Sequence, residues 1–315
     1  PPDMSEVFHS GTGRFAWVRM RPMSLWESGD SSGDVSLQQL FDSPETTSGR
    51  SDINLERIAF LTCRGGWPLA IDMERDIALE QAFDYIAAVE HRDIQAVDGI
   101  NRDPSRVHRL LRSYSRHQGA QVSLAAICDD LSENEGSTFN VETVSSYITA
   151  LKRIFVIEDI QAWNPNLRSK TAIRTSDTRY FTDPSIATAS LGLGPADLIG
   201  DLNTFGLIFE TLCMRDLRVY SEALNGNVYH YRDKDGLECD AVVHLRDGRY
   251  GLIEIKLGGD KLIAEGAQSL KKLADKIDTT KMKRPSFLMV LTAVGDYAYR
   301  REDGVIVVPI GCLKD

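Results

Sequence analysis

Glu238-Cys239-Asp240-Ala241-Val242-Val243-His244-Leu245, then Arg246-Asp247-Gly248, then Arg249-Tyr250-Gly251-Leu252-Ile253-Glu254-Ile255-Lys256-Leu257 is the stretch that decides the fold. Two alternating runs flank an Asp-Gly pair, the pattern of a β-hairpin. Loop length sets its register. A two-residue loop would place Asp240 opposite Ile255 and mix apolar with charged side chains on both faces. A three-residue loop, with Gly248 in the left-handed bulge position, pairs Leu245 with Arg249 and sets Asp240 opposite Glu254. Ala241, Val243, Leu245, Ile253, Ile255 and Leu257 then share one face, with Arg249 its only charge. Asp240, Val242, His244, Tyr250, Leu252, Glu254 and Lys256 share the other. A one-residue slip would bury the charges, so the three-residue loop is predicted.

In that register two carboxylates face each other across about 5 Å, with Lys256 beside them. Carboxylates so close repel unless a proton or a cation lies between them. Mg2+ takes one or two carboxylates together with water and phosphate oxygens. A lysine can hold the attacking water or the phosphate as charge develops. The same spacing also fits a solvated face carrying a Glu254–Lys256 salt bridge, and spacing alone does not choose between the two.

Outward from the hairpin, the patterning predicts a helix over 203–220, strands over 227–232, 238–245 and 249–257, a helix over 261–277 and a strand over 285–293. This is an α-β-β-β-α-β order in a mixed α/β domain. Upstream, Asp103-Pro104, Ser123 and Asn140 each open a helix. Ile154 to Trp163 is β-rich and Arg179-Tyr180-Phe181 could return beside it, giving three helices and a two-strand wing, the winged-helix order. Leu55 to Thr62 and residues 72–96 read as helical, separated by a stop at Arg64-Gly65-Gly66-Trp67-Pro68. Residues 15–20 alternate like a strand, Ser24 to Glu27 looks like a capped helix start, and 28–51 reads as a loop or weakly ordered link.

The chain has 315 residues and a formal net charge of -10, which argues against a uniformly basic coat while leaving room for a local basic patch. Its five scattered cysteines form no C-x-x-C pair and fit a reducing cytoplasm. No run approaches the length of a membrane helix, so no membrane partner is expected.

Asp240 followed by Glu254-Ile255-Lys256 on the next strand resembles the PD-(D/E)xK nuclease superfamily, whose core is the restriction-endonuclease-like α-β-β-β-α-β fold. The resemblance implies Asp240, Glu254 and Lys256 as catalytic residues. It implies a Mg2+ (or Mn2+) held by Asp240, Glu254, the helical Glu210 and the backbone carbonyl of Ile255. Gln268 matches a glutamine of some branches, and His244 stands at the edge of the same face. Cys239 occupies the position of the proline in the motif's name.

Further motifs extend the likeness. Gly13-Arg14, Arg21-Pro22-Met23-Ser24-Leu25-Trp26-Glu27, Arg64-Gly65-Gly66-Trp67-Pro68, Tyr180-Phe181-Thr182-Asp183 and Tyr231-Arg232 through Asp240 occur in order along the chain. Together they resemble the prokaryotic AAA-type P-loop ATPases that end in domain of unknown function 4143. No G-x-x-x-x-G-K-[ST] loop is present, so nothing in this chain cradles a triphosphate. The resemblance therefore implies that residues 1–51 are the tail of an ATPase domain and a linker. Residues 52–100 would be a helical region, 101–200 a winged-helix-like domain and 201–315 the nuclease-like domain. ATP would bind only in a complete protein whose ATPase domain is the nearest partner, homo-oligomers are expected, and Arg14 would sense the nucleotide.

DNA is the other expected partner. Arg168, Lys170, Arg174 and Arg179 surround the wing, and Arg106, Arg109, Arg112 and Arg116 form a stripe on the first helix of that unit. Charge runs are also the ordinary dress of a solvated face.

Overall fold

The computed structural model describes residues 13–14, 18–136, 138–164 and 176–315. In chain order it holds β1 (Val35–Ser36), α1 (Leu37–Asp42) and β2 (Gly49–Arg50), then α2 (Leu55–Arg64), α3 (Arg75–Ala88) and α4 (Ile94–Ala96). Next come α5 (Pro104–Arg116), α6 (Leu124–Asn134), α7 (Val141–Arg153), α8 (Pro184–Leu191) and α9 (Pro195–Gly200). The long α10 (Leu202–Ala223) leads into β3 (Gly226–Arg232), β4 (Glu238–Leu245), β5 (Tyr250–Lys256), α11 (Asp260–Lys276) and β6 (Phe287–Thr292). β7 (Tyr297–Arg300), β8 (Ile306–Pro309) and β9 (Leu313–Lys314) close the chain. A helical N-terminal region thus precedes a mixed α/β region.

Helix starts follow local chemistry. Asp103, Ser123 and Asn140 each accept a backbone N–H from the first turn of α5, α6 and α7. Asn54 and Asp201 do the same for α2 and α10. These side chains satisfy donors that a helix start leaves unpaired.

Seven strands form one sheet in the order β2-β7-β8-β6-β5-β4-β3. β5, β6 and β8 run parallel, and the remaining pairings are antiparallel. The β4–β5 hairpin has the expected register: Ala241 pairs with Ile253 and His244 with Tyr250. The loop is three residues long. Leu245 N donates to Arg249 O at 2.8 Å, Gly248 N donates to Leu245 O at 3.0 Å, and Gly248 adopts φ 84°. A side chain there would meet the left-handed penalty, which explains the glycine.

Side-chain alternation sorts as expected, but both faces are covered. Ala241, Val243, Leu245, Ile253 and Ile255 join the core that includes α10. Val242, Tyr250 and Leu252 pack with Ile263, Ala267, Leu270 and Leu273 of α11. The face expected to meet solvent is therefore roofed by α11, and β5 is a central strand with Glu254 only 5% exposed.

Four other expectations differ from the structure. Residues 28–51 are no loose link: β1 pairs in parallel with β9, and β2 pairs with β7, so this segment edges the C-terminal sheet. Ser24 and Glu27 do exchange capping-box hydrogen bonds, with Glu27 N to Ser24 Oγ 3.2 Å and Ser24 N to Glu27 Oε2 2.8 Å, but only a turn follows. Of the strand expected over 15–20, residues 15–17 lie outside the described residues, and Val18 and Met20 are exposed and unpaired in any sheet. The β-rich reading of 154–163 reduces to isolated bridges, Ile157 with Phe181 and Ile160 with Thr178. Among the described residues no helix is long and apolar enough to cross a membrane. All five cysteines are buried and unpaired.

Candidate metal centre and its surroundings

β4 and β5 deliver Asp240, Glu254 and Lys256 to one face, just past the last ladder pair, Ala241 with Ile253. Beyond it, Asp240 replaces a backbone acceptor. Its Oδ2 accepts the Ile255 N–H at 2.7 Å. The carbonyl of a strand residue faces the same neighbour as its N–H, so the Ile255 carbonyl also points along this edge. Lys256 Nζ lies 3.2 Å from Asp240 Oδ2 and 2.7 Å from Glu254 Oε2, bridging the two carboxylates.

Glu210 enters from α10. Its Oε1 accepts a hydrogen bond from the Tyr180 hydroxyl. Arg218, one helical surface along, holds its guanidinium 5.9 Å from the Tyr180 ring centroid. Asp240 and Lys256 act on Glu210 electrostatically, and its side chain is half-buried. Burial, then repulsion from Asp240, holds the Glu210 carboxyl well above the usual carboxylate range. Burial and the facing Asp240 push Glu254 up to about 8. Burial would lower the Lys256 ammonium, but Asp240 and Glu254 outweigh it and raise its pKa. One ammonium serves three carboxyl groups, and the shortage of positive charge is met by retained protons.

α11 closes the site from above. At Gly266 an added Cβ would stand 3.3 Å from the Glu254 Cβ and 3.6 Å from the Lys256 Cε, so the helix approaches the strand because this position lacks a side chain. A lone glycine within a helical pattern is the signal that could have marked this contact. Ser269, one turn on, lies beside Glu254 and donates to Glu238 O at 3.2 Å. Tyr180 was visible only as part of a motif, since its contact with Glu210 joins distant segments.

Other expected positions fall elsewhere. Gln268 is exposed on α11, and Ser269 takes the inward place. His244 shares the face but stands at the other end of the strand, accepting from Trp163 Nε1 at 3.3 Å among the rings of Trp163, Tyr229 and Tyr250. Arg14 is an exposed turn residue. Arg168, Lys170 and Arg174 lie outside the described residues. Arg179 is spent within the fold, donating to Asp159 Oδ2 at 2.7 Å and Val122 O at 3.2 Å. In the α5 stripe, Arg112 and Arg116 bond Glu135, Arg116 also bonds Asp130, and Arg106 lies over Phe139.

A second buried ionic group ties the motifs together. Arg215 of α10 donates to Asp183 Oδ2 at 3.0 Å and to Asp216 Oδ1 at 2.8 Å, with all three side chains almost completely buried. Asp183 also accepts Gly66 N at 2.9 Å, and Asp216 accepts Leu25 N at 3.0 Å. The Met23–Trp26, Gly65–Trp67 and Thr182–Asp183 segments therefore converge on α10, which itself carries Glu210.

The donor set suits one kind of ion. Among the described residues no cluster of three or more His, Cys, Asp and Glu side chains is arranged to cage a metal. Two carboxylates on adjacent strands, partly open at Asp240 and short of positive charge, fit a Mg2+ that keeps most of its water.

Residues 55–197 match the family model described as Domain of unknown function (DUF8612), and residues 205–313 match Domain of unknown function (DUF4143). No curated protein and no solved structure matches the chain.

Proposed function

We propose that the chain is the C-terminal part of an ATP-driven, DNA-associated protein of the AAA type, whose 201–315 region is a PD-(D/E)xK-like nuclease domain cleaving phosphodiesters with Mg2+ or Mn2+. The single observation that carries this reading is the pair Asp240 and Glu254 with Lys256 between them. α5, α6 and α7 followed by the bridged segments near Ile157 and Phe181 would serve as a winged-helix-like DNA module.

Asp240, Glu254 and the Ile255 carbonyl would hold the cation, which supplies Lewis acidity toward a phosphate oxygen. Lys256 would orient the attacking water and offset charge developing on the phosphate. Without an ion the Glu254 carboxyl sits near 8, so cation binding at neutral pH would displace its proton. Glu210, its carboxyl held above the usual range by burial and by Asp240, accepts from Tyr180 and would support the site from α10. A water oxygen would add to phosphorus as its proton passes to bulk water, the ester P–O bond would break, and the departing alkoxide would take a proton from solvent.

A second reading, a non-catalytic DNA-docking or protein-interaction platform, is favoured by one feature. Lys256 already bridges both carboxylates, so the pair is held together without an ion. Incubation with supercoiled plasmid and Mn2+ separates the two. Nicking that Glu254→Ala and Lys256→Ala abolish supports the nuclease. Nicking that survives both substitutions refutes the site, and intact plasmid with retained, salt-dependent binding leaves the platform.

A further inference from the structure

α2 ends at Arg64, and the chain turns through Pro68–Ala70 into α3. Between them lies a cleft of about 170 Å³ lined by Arg57, Phe60, Arg64, Ile71, Met73 and Arg75, among others. Its walls are unusually cationic for a protein of net charge -10. The Arg57 and Arg75 guanidiniums stand 5.2 Å and 4.4 Å from the Phe60 ring centroid, which fixes their planes over a buried aromatic.

Arg64 is the anchor. It is only 3% exposed yet lines the cleft. Its Nε donates to Gly65 O at 3.1 Å, and its Nη2 donates to Ser28 Oγ at 3.3 Å and Asp30 Oδ2 at 2.8 Å. Among the described residues its Nη1 donates to no protein atom, so a nearly buried guanidinium keeps donors in reserve. Asp30 is the one carboxylate paired with this group, taking Arg57 at 2.5 Å as well as Arg64. Arg75 has no ion pair among the described residues. Three guanidiniums line the concavity and share one direct carboxylate partner, Asp30, while Asp72, Glu74 and Asp76 flank Arg75 in the chain.

We propose that this α2–α3 cleft binds a phosphate group as its dianion, either free or at the end of a nucleic-acid strand. Planar forks of guanidinium donors match phosphate oxygens, and a terminal monoester phosphate offers more charge and one more free oxygen to them than a phosphodiester does. Phe60 is buried beside Arg57 and Arg75 and offers no exposed base-stacking platform, so recognition rests on the phosphate itself. The site is separate from the Asp240–Glu254 pair, and its test does not depend on cleavage.

Calorimetric titration of the full chain in chelator-containing buffer supplies that test. The probes are inorganic phosphate and one oligodeoxynucleotide carrying either a 5′-phosphate or a 5′-hydroxyl. Arg57 and Arg75 are exposed, so Arg57→Gln and Arg75→Gln leave the core intact. Saturable binding of inorganic phosphate, weakened about tenfold or more by each substitution, supports the site with a free ligand. Binding only of the 5′-phosphorylated strand, with the same losses, supports the site with a strand terminus. The proposal is overturned if no probe binds, if phosphate-dependent binding survives both substitutions, or if inorganic phosphate fails to bind and the oligonucleotide binds equally with either 5′ group.

Discussion

Nζ of Lys256 lies 2.7 Å from Oε2 of Glu254, two residues back on the same strand, and this ammonium is what allows two facing carboxylates to share a nearly dry face. Removing it leaves Asp240 and Glu254 opposed without compensation. Lys256→Met is expected to destabilise the protein by about 3 kcal/mol at pH 8, the scale of breaking a buried pair. The loss should shrink toward pH 5, where Glu254 takes up a proton. Urea unfolding at the two pH values measures it; an equal loss at both would show that packing, not charge, is responsible.

Glu210 gives a sign that can be worked out. Its folded carboxyl sits well above the ordinary 4.5, so above that pH the folded state holds a proton that the unfolded chain releases. Stability from this group is complete below the unfolded value and falls as pH rises, by up to about 1.4 kcal/mol per pH unit within the window. Glu210→Gln keeps an acceptor for Tyr180 and cannot ionise. It should flatten the pH dependence and match or exceed wild-type stability at pH 8, as read by thermal or urea unfolding across pH 5 to 8.

Glu158 runs the opposite way. Burial would raise its carboxyl, but Arg218, Arg21 and Arg19 outweigh burial and hold it down to about 2. Its contribution is full above the unfolded value of 4.5 and is lost as pH falls through 2. Glu158→Gln should therefore cost about 3 kcal/mol at pH 7 and progressively less in acid. Acid titration of both proteins by circular dichroism checks it; parallel curves would refute it.

How much of this was legible depends on the range of the forces involved. The hairpin register followed from Gly248 and from period-two sorting, both local, and the caps at Asp103, Ser123 and Asn140 were equally local. β1, β2 and β9 are two-residue strands whose partners lie far along the chain, so residues 28–51 offered only a loop-like composition. The roof over the polar face was missed because strict alternation looks the same whether the polar side meets water or α11. Tyr180 on Glu210, and Arg215 between Asp183 and Asp216, are contacts between distant segments that no spacing rule encodes.

Gly266 tests the roof. Val290 Cγ2 would stand 3.4 Å and Glu254 Cβ 3.3 Å from an added Cβ, and both belong to central strands that cannot withdraw. Gly266→Ala gains helix propensity but overpacks this contact, with a net loss of about 1 kcal/mol expected. Differential scanning calorimetry measures it, and a raised melting temperature would mean that α11 rides looser over the strand than its geometry implies.

The direct test of Asp240 and Glu254 as a cation site is calorimetric titration of the full chain with Mn2+. Binding requires the deprotonated carboxyls, and Glu254 titrates near 8, so affinity should rise from about pH 6.5 to about pH 8.5. The account predicts one ion per chain, with binding weakened about tenfold or more by Asp240→Asn and by Glu254→Gln. Absence of binding at either pH, or binding indifferent to both substitutions, would contradict it.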